Sequence, residues 1–261
     1  FKNSGKDFAE VQRFERISLY YSNAKAPLAV QVFGDGKRWF EDSLPANNEL
    51  AISRYQVDSL PREVKLQFAG TSSPDIYGVS FDCNKGIAVD NISMRGSSGT
   101  DFFRLDRALL AKHINQINAR LIIFQFGVNV IPYVQDDHKY YAHRFYQELK
   151  AFRDNNPGVP ILVVGVSDMS TTNKNGDHIS YPHISLIRDA QREAAFRAGC
   201  AFWDLYAAMG GENSMVAWVN AKPKLAEPDY IHFNWRGARV VGEMMYNAMM
   251  HDYYSYEEQI F

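Results

Sequence analysis

From residue 86 onward the chain alternates uninterrupted apolar runs with amphipathic stretches, and this alternation constrains the fold more than any other feature. ARLIIFQFG (119–127) and PILVVGV (160–166) have the composition of strands buried on both faces of a sheet. Around them apolar residues recur at helical spacing. Leu110, Ile114 and Ile117 mark a helix over 101–118, and Tyr141, Phe145, Leu149 and Phe152 mark a second, which Asn155-Asn156-Pro157-Gly158 ends. Ile187, Ala190 and Ala194 mark a third over 183–198, with Gly199 as its stop. GIAVDNIS (86–93) and CAFWDLY (200–206) read as further strands. A last helix over 235–251 carries Ala238, Val241, Met245 and Ala248 on one stripe. Strand–helix–strand repetition of this kind predicts an α/β fold, a parallel sheet covered by helices on both faces.

The first 85 residues follow another pattern. Short strand-like runs at 15–22, 26–33, 37–44, 49–57, 62–70 and 75–82 follow one another without helices. Gly34-Asp35-Gly36 reads as the turn of a hairpin. The expectation is a β-sandwich over 1–85 followed by an α/β domain over 86–261. On the sandwich, Tyr20, Tyr21, Trp39 and Phe40 form either a sugar-stacking platform or, since alternate strand residues point inward, ordinary core.

Composition narrows the function. With 28 Lys+Arg against 30 Asp+Glu the net charge is −2, so no nucleic-acid partner is expected. No apolar run approaches the roughly 20 residues that span a bilayer. FKNSGKDFAE has no apolar core of a signal peptide and no initiating Met, which predicts that the chain begins inside a longer gene product. Cys83 and Cys200 exclude a disulfide framework and a Cys-rich metal site; buried free thiols are expected of them, with a single disulfide as the alternative. The histidines at 113, 138, 143, 178, 183 and 251 show no metal-ligand spacing.

In an open parallel sheet, ligands bind beyond the carboxyl ends of the strands. The segments read there are MRGSSG (94–99), FGVN (126–129), GVSD (165–168) and, before the last helix, PDYIHFN (228–234). In the last, the i, i+3 spacing lets the Asp229 carboxylate bond one ring nitrogen of His232. The other nitrogen is then free to take a proton from a hydroxyl nucleophile. Gly96 offers an unobstructed backbone N–H and Asn129 a side-chain amide, two donors suited to an oxyanion. The plainer alternatives are a helix cap for Asp229, a surface histidine for His232, and turn formers for Gly96 and Asn129. Ser167, Asp168 and the loop 210–213 either line a substrate or simply complete strand-end loops.

Taken in order, Gly96 in SMRGSSG, Asn129 in FGVN, and Asp229 with His232 in DYIHFNWRGA resemble blocks II, III and V of the SGNH (GDSL-like) hydrolases. GVSDMS (165–170), WDLYAAMGGENSM (203–215) and the final helix extend the resemblance, most closely to bacterial peptidoglycan O-acetylesterases, in which a carbohydrate-binding-like β-sandwich is inserted into the hydrolase domain. The resemblance implies a flavodoxin-like three-layer domain. It also implies an acyl-transfer reaction on an acetylated envelope polysaccharide, in the periplasm or cell envelope, with no metal or organic cofactor. Asp229, His232, Gly96 and Asn129 would be the catalytic set. The chain departs from the family at the nucleophile. No Gly-Asp-Ser block is present: Gly34-Asp35-Gly36 lacks the serine, Asp42-Ser43-Leu44 lacks the glycine, and Ser97 and Ser98 adjoin the oxyanion glycine. The serine and the first sheet strand are therefore expected upstream of Phe1. A polysaccharide-binding protein that has lost its nucleophile and an O-acetyltransferase are the alternatives.

Overall fold

The computed structural model describes residues 1–2, 13–58, 61–133, 135 and 137–260, and the chain divides into two compact units, Phe1–Ser93 and Met94–Phe261.

In the first unit six strands run β1 (Arg16–Ser22), β2 (Leu28–Gly34), β3 (Lys37–Leu44), β4 (Ala51–Gln56), β5 (Val64–Ala69) and β6 (Asp75–Asp82). They form two three-stranded antiparallel sheets, ordered β4-β1-β6 and β3-β2-β5. Ile17, Leu19 and Tyr21 of β1 and Val30 and Val32 of β2 alternate along their strands as period-2 pleating requires, and they join Leu44, Tyr55 and Val64 in one core. The turn between β2 and β3 uses Asp35 and Gly36, both at positive φ (48° and 79°), the hand that suits a two-residue hairpin. The Asp35 carboxylate locks that turn to β5 by accepting the N–H groups of Arg62 and Glu63. Two of the four candidate platform aromatics are buried and two are half-buried. Tyr20 and Tyr21 are buried, Trp39 lies across Gly34 where a side chain would collide with its ring, and Phe40 packs on Tyr55.

In the second unit β7 (Ile122–Gln125), β8 (Ile161–Val164) and β11 (Ala201–Trp203) form a parallel sheet ordered β11-β8-β7. The helices are α1 (Arg107–Gln116), α2 (Lys139–Asn155), α3 (Ile184–Arg197), α4 (Leu205–Met209), α5 (Ser214–Asn220) and α6 (Trp235–Ile260). Adjacent residues of β8 face opposite ways. Ile161 and Val163 pack with Phe145 and Leu149 of α2 and Ile187 of α3, whereas Val164 packs with Leu205, Trp218 and the Val240–Met245 stretch of α6. The sheet is thus the middle of three layers. A hairpin of β9 (Ser170–Thr172) and β10 (His178–Ser180), with α4 and α5, completes the unit.

Three expectations are corrected. Residues 86–93 form no strand: they pair with nothing among the described residues, and Ile87 and Val89 are 96% and 87% exposed. An alternating apolar pattern makes a strand only where a neighbour supplies the ladder, and none of the described residues does. The run at 119–127 is buried on one face only. Ile122 and Phe124 join the core, while Leu121 and Ile123, on the opposite face, are 37% and 43% exposed. Cys200 is buried as expected, but Cys83 is exposed; both thiols are free.

Candidate active site

The chain enters the last helix through a turn built on Asp229. Its Oδ1 accepts the backbone N–H groups of Ile231 (2.9 Å) and His232 (3.0 Å), and its Oδ2 lies 2.7 Å from Nδ1 of the His232 ring. Both oxygens are therefore committed to one tight loop, which sets the ring orientation. Burial pushes the Asp229 carboxyl up, but the ring and the two backbone N–H groups outweigh it and hold the carboxyl below its ordinary value. The ring is 73% exposed, and its Nε2 has no hydrogen-bond partner among the described residues. Asp229 does not cap the final helix. Asn234 does so, its Oδ1 accepting from the N–H groups of Arg236 and Gly237 while its Nδ2 donates to the Lys224 carbonyl.

Between the two dyad residues stands Tyr230, in the left-handed region at φ 59°. For a bulky side chain this conformation costs of order 1–3 kcal/mol, and it persists only where the surroundings impose it. Here they do: the Tyr230 ring stacks on His178 of β10 (centroids 3.7 Å apart, planes 16° apart), and its carbonyl accepts from the Ser170 N–H of β9.

The second pair of candidates sits beyond β7. Gly127, at φ 117°, turns the chain out of the strand into a short 3-10 segment, Val128–Val130, that presents Asn129. The Asn129 Nδ2 donates one of its two hydrogens to the Ser97 carbonyl at 2.9 Å, which ties this loop to the turn carrying Gly96. Gly96 lies at φ 78°, is exposed, and has open space where a side chain would stand; its N–H makes no bond among the described residues.

The four residues therefore form two pairs, Asp229 with His232 and Asn129 with the Gly96 turn. Among the described residues no hydrogen bond or ion pair joins one pair to the other. Both border the same packing, because Met94, Val128, Val130 and Ile231 all lie against the core that α2 and α3 share with the sheet. All four residues are exposed. No serine is bonded to His232 among the described residues.

Ser167 and Asp168 do not line this space. Asp168 is fully buried; its Oδ1 accepts the Ser180 hydroxyl (2.6 Å) and its Oδ2 the Met215 N–H (2.8 Å), so it fastens the β9–β10 hairpin to α5. Asn213 strengthens the same joint through two bonds with Ser180. Sequence reasoning also passed over Gln191, a fully buried amide on α3. The available signal was its position on the apolar stripe, four residues after Ile187 and three before Ala194.

A model of the GDSL-like lipase/acylhydrolase family matches residues 38–240. Among solved structures, a peptidoglycan O-acetylesterase superposes with a TM-score of 0.70 at 21% identity, over 93% of this chain and 66% of that one. The chain thus spans a little under two thirds of that esterase. A salicylyl-acyltransferase from a tetracycline biosynthetic pathway (17% identity, TM-score 0.39, 91% and 80% covered) also matches. So does a GDSL-like lipase from Bacteroides ovatus ATCC 8483 (13% identity, TM-score 0.42, 90% and 81% covered), but neither score is high enough to bear on the fold. No curated protein matches the chain. The ordered blocks, the three-layer unit and the family match over most of its length lead to one conclusion: the chain belongs to the GDSL-like (SGNH) lipase/acylhydrolase family, whose members are hydrolases acting on ester bonds.

Proposed function

We propose that the protein is a serine-dependent carbohydrate esterase that removes O-acetyl groups from an envelope polysaccharide, peptidoglycan, in the periplasm or at the cell envelope. The observation that carries this reading is the Asp229–His232 contact of 2.7 Å, with the far ring nitrogen unbonded among the described residues. Asp229 fixes the tautomer with Nδ1 protonated, so Nε2 is the base. It takes the proton of a serine hydroxyl as the oxygen attacks the acetyl carbonyl. The Gly96 N–H and the second N–H of the Asn129 amide take up the charge on the tetrahedral oxygen. His232 then returns the proton to the departing sugar hydroxyl, leaving an acetyl-serine. Water, deprotonated by His232, releases acetate. The similarity to a peptidoglycan O-acetylesterase supports the choice of substrate. The chemistry uses no metal or organic cofactor.

In this reading the serine lies on a strand outside residues 1–261. The outer edge of β7, which pairs with β8 alone among the described residues, and the apolar stretch 86–93, unpaired among them, support it. We read residues 1–85 as a carbohydrate-binding-like β-sandwich and residues 86–261 as the hydrolase domain. The test is His232→Ala in the complete protein, assayed for acetate release from O-acetylated peptidoglycan. Loss of at least about a thousandfold in kcat is expected, and a rate near that of the parent protein would remove the assignment.

The absence of a serine bonded to His232 among the described residues favours a second reading, a polysaccharide-binding protein without catalysis. A fluorophosphonate probe separates the two: labelling of the complete protein supports the esterase, and polymer binding without labelling supports the binder. An O-acetyltransferase would pass through the same acetyl-serine and differ only in delivering it to a sugar hydroxyl.

A further inference from the structure

We infer that Gln191 is a positioning residue for the oxyanion donors, acting through Tyr141 on the Gly96 turn and through Phe126 on the Asn129 loop; the inference rests on the esterase reading above. Gln191 has no exposed surface, and every polar atom of its side chain is used. Its Oε1 accepts the Val166 N–H at 2.8 Å, just beyond β8, which fixes the amide orientation because a backbone N–H can only donate. Its Nε2 therefore donates, to the Phe126 carbonyl at 2.8 Å and to the Tyr141 hydroxyl at 3.1 Å. With its oxygen accepting from Gln191, Tyr141 donates its own proton to the Ser98 carbonyl at 3.1 Å. One amide thus holds the ends of two strands and, one step further, the turn two residues after Gly96.

The spacing around this amide is tight. A Cβ on Gly127 would stand 2.4 Å from Nε2 of Gln191 and 3.4 Å from the Tyr141 hydroxyl, so the amide fits there only beside a glycine. Consecutive carbonyls of the Gly96 turn are held from two directions, Ser97 by Asn129 and Ser98 by Tyr141. The turn's register against the Asn129 loop is therefore held by hydrogen bonds in addition to the apolar packing of Met94 and Val128. An oxyanion hole works only if its donors stand in place before charge develops, so loosening this frame should lower the rate of the chemical step and leave ground-state binding alone.

The test compares Gln191→Leu and Tyr141→Phe with the parent in the complete protein, on a soluble acetyl ester. Tyr141→Phe keeps the ring in the core and removes the hydroxyl that accepts from Gln191 and donates to Ser98, so it stands if Gln191→Leu fails to fold. The expected result, well below each melting temperature, is a fall in kcat of about tenfold or more for Gln191→Leu and severalfold for Tyr141→Phe, with KM within about twofold. The double variant should be no slower than Gln191→Leu alone, because both act in one network. Unchanged kcat in the folded variants would overturn the inference, even with a lowered melting temperature. Amide exchange at Ser97–Gly99 and Gly127–Val130 is read without substrate. It should accelerate in both variants while the middle of α2 stays protected; equal exchange overturns the positioning itself. A parent protein that hydrolyses no ester would instead sink the esterase reading and leave the exchange result to judge the frame.

Discussion

At the scale of single residues, the Asp229 loop makes a directional prediction about acid. Its carboxyl is held below its ordinary value in the folded chain, so its contribution to stability is fully present above the unfolded value of about 3.9. That contribution is lost only as pH falls through the lower folded value. A carboxyl-detected NMR titration should place the Asp229 midpoint below about 3.9, and His232→Ala should raise it while the two backbone donors keep part of the depression. A midpoint at or above the ordinary value would mean that the loop is not formed in solution. This dyad was legible in the sequence because its chemistry is local: three residues of spacing suffice to bring carboxylate and ring together. Gln191 was not, because its partners at 126, 141 and 166 are distant in the chain, and a glutamine in a helix reads as a surface residue until its stripe is checked.

At the scale of elements, two joints are exposed to substitution. Asp168 accepts from Ser180, Ser214 and the Met215 N–H, and burial pushes its carboxyl up against the pull of those donors. Asp168→Asn turns an N–H₂ toward a donor and leaves one buried group unsatisfied. It should destabilise the chain by about 2 kcal/mol in urea unfolding, and a neutral result would show that the joint is not needed. Gly237, in the first turn of α6, lies directly against the Leu225 carbonyl with no room for a side chain. Gly237→Ala should cost more than about 2 kcal/mol, although it lies inside a helix where alanine is ordinarily the better residue. The helices were largely legible because each carries its own apolar stripe and stop. The β9–β10 hairpin and the short α4 and α5 were not, because three- to seven-residue elements carry too few periods to register.

At the scale of the whole molecule, the three-layer order was legible from the apolar runs, but which faces are covered was not, since covering is a property of neighbours rather than of the run itself. That difference gives a test of the missing-strand reading. Ile123→Lys should change the stability of this 261-residue chain by less than about 0.5 kcal/mol, because the side chain already meets water. In the complete protein the same change should cost more than about 2 kcal/mol if the upstream segment that brings the strand also buries that face, and equal effects in the two would remove that reading. Finally, the ring of Tyr230 lies flat on His178, and its peptide oxygen is held by Ser170, so the acid and base of the dyad share a backbone hinge with the β9–β10 hairpin. Any shift of that hairpin would be passed to the peptide between carboxylate and ring, so the two would move together like parts of one lever.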